Sequence, residues 1–244
     1  MVGPEGLERL RRSHVAVVGL GAVGSYAVEA LARAAVGRLR LVDFDEIRLS
    51  NVNRQLHALT STVGLPKAEA ARRRVLDIHP ECRVEALPLF VDPETLDRVL
   101  DGPPDLVVDA IDALKPKVEL LAETARRGIR VVSSMGAALR TDPSRVRIGT
   151  LERSERCPLA RHVRQRLRRL GIRADFPVVY SDETTEGLRP EAAGSPGEDP
   201  EEAFERGRAR APLGSLPTLT GIFGLVAANA ALEILLGDLW PRAR

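Results

Sequence analysis

His14-Val15-Ala16-Val17-Val18-Gly19-Leu20-Gly21-Ala22-Val23-Gly24 decides the fold class. Five residues that are mostly small and β-branched run straight into a G-x-G-x-x-G, and an amphipathic stretch over Ala22–Ala35 follows. A buried strand, a glycine turn and a helix fit that order. The first glycine makes the tight turn, the second admits a phosphate to the backbone, and the third lets the helix pack on the strand. The helix then offers free N–H groups and the positive end of its dipole to an anion. Asp43 ends the next apolar run, Leu39–Val42, where a carboxylate can accept from a ribose diol. A nucleotide is expected here. The motif alone leaves ATP and a dinucleotide open.

Outward from this loop the chain keeps alternating short apolar runs with longer amphipathic ones. Arg83–Leu87, Leu106–Val108, Arg130–Val132 and Val146–Ile148 read as strands, and Lys67–Ile78 and Pro116–Arg127 as helices. Apolar strands separated by helices predict an α/β fold with a doubly wound, mostly parallel sheet. Its Rossmann-like nucleotide-binding half is expected within residues 1–150. Residues 151–244 are expected to form a C-terminal extension on the same domain. That extension holds a basic helical stretch, Arg153–Arg173, with eight arginines and one glutamate. It continues through an acidic, Gly- and Pro-rich loop over Ser181–Glu205, read as flexible, to an apolar helix over Thr218–Leu236.

Composition narrows the function. The 244 residues suffice for a sizeable core without disulfides or metals. Two cysteines, Cys82 and Cys157, build neither a disulfide framework nor a four-cysteine zinc site, and point to a reducing, cytoplasmic setting. The N-terminus shows no secretory pattern. The apolar stretch Gly221–Leu236 contains Asn229 and Glu233 and reads as too short and too polar to span a membrane. An aromatic content of 3% argues against a stacking platform for single-stranded nucleic acid. Lys67, Lys115 and Lys117 are the only lysines among 36 basic residues, so each asks for a reason.

The segment after the second strand separates ATP from NAD. Asp43-Phe44-Asp45-Glu46 leads to Ser50-Asn51-Val52-Asn53-Arg54-Gln55-Leu56-His57-Ala58 and then Gly64-Leu65-Pro66-Lys67-Ala68. A dehydrogenase has no use for cations converging beside its phosphates with a carboxylate across the sheet. Adenylation does, because pyrophosphate must leave with its charge neutralised. Arg54 and Lys67 are the candidate cations. Asp112, at the end of the fourth strand, is the candidate Mg2+ ligand, since magnesium takes one or two carboxylates plus phosphate oxygens. Each has a plainer reading: a surface arginine, a first-turn lysine, a helix cap. A cation at a helix start is mildly unfavourable, so Lys67 needs another reason.

In this order and spacing the glycine loop, VDFDEI, SNVNRQ and GLPKAE resemble the ubiquitin-activating-enzyme-like adenylyltransferases. Within that superfamily the chain is most similar to the tRNA threonylcarbamoyladenosine dehydratases. The signals are Asn51–Ala58, Ile78–Val84, Asp109–Asp112 with Lys115-Pro116-Lys117, Thr141-Asp142-Pro143, Pro158-Leu159-Ala160 and Val179–Glu183. The resemblance implies a homodimer that uses ATP and Mg2+ to cyclise threonylcarbamoyladenosine beside the tRNA anticodon. It implies that Gly19, Gly21 and Gly24 cradle phosphate and that Asp43 holds the ribose. Asn51, Arg54, Gln55 and Lys67 would line the triphosphate and Asp112 the metal, with Arg54, Lys67 and Asp112 the catalytic set. A cysteine desulfurase or sulfur-relay protein is the further partner it suggests.

Departures matter too. Relatives that activate ubiquitin-like sulfur carriers often show two C-x-x-C pairs and a catalytic cysteine, which are absent here. Cys157 reads as a filler at a helix start and Cys82 as a core thiol. An upstream arm carrying an arginine toward the partner's ATP has no match, and Met135-Gly136-Ala137-Ala138 replaces a richer glycine stretch. Arg161, Arg164, Arg166, Arg168, Arg169 and Arg173 could hold tRNA phosphates or form a solvated face. His57 reads as structural. The competing function is adenylation of a sulfur carrier's C-terminus.

Overall fold

A computed structural model describes residues 1–184 and 214–241. The expected acidic loop lies largely outside the described residues. Seven strands form one sheet in the order β3-β2-β1-β4-β5-β7-β6. Their ranges are β1 His14–Val18, β2 Arg38–Val42, β3 Arg83–Leu87, β4 Leu106–Asp109, β5 Arg130–Ser134, β6 Val146–Thr150 and β7 Pro177–Ser181. Every pairing is parallel except that of β6 with β7. The chain thus has the doubly wound α/β fold that its alternating apolar runs predicted.

The helices divide between the two faces. On one lie α1 (Gly3–Arg12), α2 (Gly24–Arg33), α3 (Lys67–Ile78) and the last helix, α7 (Pro217–Leu236). On the other lie α4 (Leu96–Leu100), α5 (Leu114–Arg126) and α6 (Pro158–Arg169). Alternation along β1 explains the split, because successive side chains leave a strand on opposite faces. Val15 and Val17 join the first core, and Ala16 and Val18 the second. All five residues of β1 are buried, as a central parallel strand covered on both faces requires.

Five elements depart from the sequence reading. The basic stretch Arg153–Arg173 yields a helix only from Pro158 to Arg169, because Pro158 fits the first helical turn and Gly171 takes a positive φ just past the end. Val179-Tyr180-Ser181 is part of a strand, β7, inserted between β5 and β6. The N-terminal helix α1 and short α4 were not expected from the sequence. The last correction concerns α7, which at 20 residues is long and apolar enough to cross a membrane by length and composition. Its apolarity has a different cause: Phe223, Ala227, Ala228 and Ala231 are buried in the first core. Gly224 lets α7 meet α2, since a Cβ there would stand 2.3 Å from the Val23 carbonyl oxygen.

Candidate functional site

Strand order reverses at β1 and β4, and a crevice outside the carboxyl ends of the strands opens at such a switch point. The glycine loop lies there. Gly19 adopts φ +88°, and a Cβ on it would stand 2.7 Å from the Ala110 carbonyl oxygen in the turn after β4. A Cβ on Gly24 would stand 1.8 Å from the Gly19 carbonyl oxygen. Neither position admits a side chain without moving backbone. Gly21 is different, because the nearest atom to its Cβ would be Gln55 Nε2 at 3.9 Å. Its openness keeps space beside the loop rather than relieving a clash.

Asp43 sits at the tip of β2 with only 9% exposure. Its Oδ2 accepts from Leu20 N at 2.7 Å and its Oδ1 from Asp45 N at 2.9 Å, which ties the strand tip to the glycine loop. A carboxylate offers about four lone-pair directions, so two stay open for hydroxyl donors. Burial pushes the Asp43 carboxyl above its ordinary value, against the pull of Lys67 and the two backbone donors.

Lys67 opens α3 and is also buried. Its ammonium lies 2.8 Å from Asp45 Oδ2 and 3.9 Å from Asp43 Oδ1. Here is the reason for a cation at a helix start: two carboxylates offset the unfavourable dipole. Asp45 was not singled out from the sequence. The signal was present in the D-x-D spacing that ends β2, which places both carboxylates near one lysine.

The loop Ser50–Ala58 covers this corner. Leu56 N donates to Ser25 Oγ at 3.1 Å, fastening the loop to the first turn of α2. Asn51 is turned inward, and its Oδ1 accepts from Arg48 N at 3.0 Å. Gln55 is buried against the glycine loop with Oε1 lacking a hydrogen-bond partner among the described residues. His57 is buried with Nε2 similarly unpartnered. Burial and the Lys67 charge pull its imidazole down to about 4, so it is neutral at pH 7. Arg54 is half-buried and donates to Ser50 O at 2.8 Å and Asn53 Oδ1 at 2.9 Å. Its guanidinium rests on its own loop and makes no ion pair among the described residues.

The structure therefore brings Gly19, Gly21, Gly24, Asp43, Gln55 and Lys67 to one corner, with Asn51 and Arg54 on the loop above. Asp112 is exposed, just past the turn that abuts Gly19. No group of three or more His, Cys, Asp or Glu side chains suited to a metal occurs among the described residues. One carboxylate plus phosphate oxygens is a donor set that suits magnesium.

Both thiols are buried. Cys82 donates to Val36 O at 3.3 Å, and burial pushes its thiol up to about 11. Cys157 precedes the first turn of α6 and packs in the second core. On α6 the arginines differ in their engagement. Arg164 donates to the Leu151 and Ser154 carbonyls at 2.8 and 3.1 Å, Arg168 pairs with Glu152 at 2.5 Å, and beyond the helix Arg173 pairs with Asp175 at 3.2 Å.

Similarity to known proteins follows the same lines. The chain is 43% identical over 238 residues to the tRNA threonylcarbamoyladenosine dehydratase of Bacillus subtilis, covering 98% of this chain and 92% of that protein. The crystal structure of the Escherichia coli tRNA N6-threonylcarbamoyladenosine dehydratase in complex with AMP superposes with a TM-score of 0.84 at 33% identity. That match covers 97% of this chain and 91% of the other. The same enzyme is also solved in complex with ATP. A sulfur carrier protein adenylyltransferase of Thermus thermophilus is 45% identical over 111 residues, covering only 46% of this chain and 41% of that protein. The ThiF family model matches residues 1–243, and the chain belongs to the ThiF family.

Proposed function

We propose that this protein is an ATP-dependent tRNA threonylcarbamoyladenosine dehydratase. The observation that carries the reading is full-length similarity to dehydratases on a chain whose two cysteines are both buried. Similarity to the sulfur-carrier enzyme spans less than half of the chain. Adenylation without an available protein thiol calls for a nucleophile that belongs to the substrate. The threonylcarbamoyl group supplies one.

In this reading residues 1–150 carry the adenylation site, and residues 151–244 extend the same domain toward the RNA. Asp43 accepts from the ribose hydroxyls through its two open lone-pair directions. Gly19, Gly21 and Gly24 keep the backbone clear for phosphate, and Asn51 and Gln55 border the triphosphate. Lys67, already between two carboxylates, neutralises phosphate oxygens, and Arg54 swings from Ser50 O toward the leaving pyrophosphate. Asp112 would hold Mg2+, which neutralises the same developing charge when bound.

The substrate carboxylate attacks the α-phosphorus of ATP and pyrophosphate leaves. The carbamoyl group then attacks the activated acyl carbon and gives up its N–H proton to solvent, and AMP leaves with the oxygen that the carboxylate lost. Ring closure within one nucleoside needs no second reactant brought in from solution, so its entropic cost is small. The nucleoside loses one water overall.

A homodimer belongs to this reading. Exposed Leu49, Val52, Leu59 and Val63 on the segment that carries Arg54 support it. A cytoplasmic setting beside the tRNA and a sulfur-relay partner such as a cysteine desulfurase also belong to this reading. Arg161 and Arg169 are exposed and make no side-chain hydrogen bond or ion pair among the described residues, so they are the arginines offered to RNA phosphates, whereas Arg164 and Arg168 are engaged by the protein itself.

Incubation with ATP, Mg2+ and tRNA bearing threonylcarbamoyladenosine tests the proposal. Nucleoside mass spectrometry should show a product lighter by one water, with AMP and pyrophosphate released. Cys157→Ser should keep this activity. An unchanged nucleoside together with adenylation of a diglycine-ended carrier protein would move the assignment to the sulfur-carrier class.

A further inference from the structure

The least exposed charged residue beside the site is one that the proposed chemistry leaves unused. Lys117, in the second turn of α5, has 0% exposure, as does Asp109 at the tip of β4. The Lys117 ammonium donates to Asp109 Oδ2 at 2.5 Å, to Ser134 O at 3.0 Å and to Ser133 Oγ at 3.3 Å. An ammonium has three donors, and three acceptors meet them. Ser133 Oγ also donates to Asp109 Oδ2 at 2.5 Å, and Ile111 N donates to Asp109 Oδ1 at 3.0 Å. The network is closed. It joins the tips of two adjacent strands, β4 and β5, to α5, and Asp109 faces Ser133 directly across the sheet.

This arrangement explains why a chain so rich in arginine keeps a lysine here. A guanidinium carries five donors on a wide planar fork, and this seat offers three acceptors in a small space. The cost of burying a charge is high, and breaking such a pair is costlier still. Burial of this kind is weak evidence for stability, so its position is the informative part. Ala110 N donates to Val18 O at 2.8 Å, and the Ala110 carbonyl lies against Gly19. The Ile111 N–H is held by Asp109, and Asp112 follows directly. Asp109 thus holds one end of the turn that leads to Asp112, through Ile111 N–H, while the end of β1 holds the other, through Ala110 N.

We propose that Asp109 and Lys117 form a positioning pair that holds the Ala110–Asp112 turn against the glycine loop and so sets where Asp112 stands. The proposal rests on the reading of Asp112 as the magnesium ligand. Groups hydrogen-bonded directly to a metal ligand typically change metal affinity 10–100-fold when removed, and the pair acts one step further out, through the backbone of the turn. A role limited to charge balance predicts something else: neutralising both partners together would leave binding untouched.

The test is calorimetric titration with ATP, with and without Mg2+, on wild type, the neutral double variant Asp109→Asn/Lys117→Met, and Ser133→Ala. Ser133→Ala keeps both charges and removes one acceptor of the ammonium, so it reports even if the double variant fails to fold. The expected result is ATP affinity without Mg2+ within about twofold of wild type for both variants. The gain in affinity on adding Mg2+ should shrink up to about tenfold in the double variant and measurably in Ser133→Ala. A folded double variant with the full Mg2+ gain overturns the proposal. So does an unfolded double variant together with a full gain in Ser133→Ala. Absence of any Mg2+ gain in wild type overturns it through Asp112. None of these readouts uses tRNA, so a failure of the dehydratase reading shows separately, as wild type that leaves the nucleoside unchanged.

Discussion

Gly21→Ala should separate nucleotide binding from folding. Gly21 does not need a left-handed backbone, and an added Cβ would meet nothing nearer than Gln55 Nε2 at 3.9 Å. A methyl group there is sterically tolerated by the apo fold. Replacing glycine by alanine at a compatible position also narrows the unfolded ensemble, a gain of about 0.4–1 kcal/mol. For a chain of this size that raises Tm by about 1–4 °C. The same methyl occupies space through which phosphate reaches the loop backbone, and a 100-fold loss of ATP affinity corresponds to about 2.7 kcal/mol. Thermal shift reads both effects at once. At an ATP concentration about 100 times the wild-type Kd, wild type gains about 2.7 kcal/mol, and a variant weakened 100-fold gains only about 0.4 kcal/mol. The apo variant should therefore melt at or above wild type while its response to ATP nearly disappears. Wild-type ATP affinity in Gly21→Ala would refute the approach of phosphate to this loop. A large fall in apo Tm would refute the packing argument.

Three other outcomes are expected. Asp43→Ala removes an acceptor for the ribose and leaves Leu20 N–H without its partner, so ATP affinity should fall by about 1.5–3 kcal/mol in a calorimetric titration. Arg54→Ala should slow pyrophosphate release about 100-fold or more while ATP binding changes little, because its charge acts as the leaving group departs; rapid-quench kinetics would show it. Stability should fall as pH drops from about 6.5 to about 4. His14 and His57 are both pulled down to about 4 when folded, so the unfolded chain takes up their protons first. The slope reaches at most about 1.4 kcal/mol per pH unit for each imidazole, and urea titrations of wild type and His57→Gln across that window measure it.

Much of the site could be read from the chain because its parts are local. The glycine loop spans six consecutive residues between one strand and the helix that follows it. Asp43 and Lys67 stand out for the same reason, each a charged residue at the boundary of an element. Asp45 escaped notice because an acidic residue after a strand is ordinary until the lysine 22 residues later is seen to lie 2.8 Å from it. His57, read as structural, is buried, and the Lys67 charge that acts on it has no signature in the sequence.

What the amino-acid sequence determined by itself is the central alternation of strands and helices, the parallel sheet, the glycine loop at its switch point and the adenylating class of enzyme. All of these depend on side-chain period, on glycine's conformational freedom and on charges spaced along a short segment. Only the tertiary structure decided the insertion of β7 between β5 and β6, since strand order depends on which edge is open when the chain returns. It also decided that α7 is a core helix, because apolar length is the same in a membrane and against a sheet, and only the packed neighbours tell them apart. The arginines of α6 were equivalent as letters until Glu152 and the Leu151 and Ser154 carbonyls claimed some of them. Lys117 and Asp109, eight residues apart, became a closed network only when β5 brought Ser133 and Ser134 alongside. Hydrogen-bond acceptors that come from distant strands cannot be read from spacing along the chain.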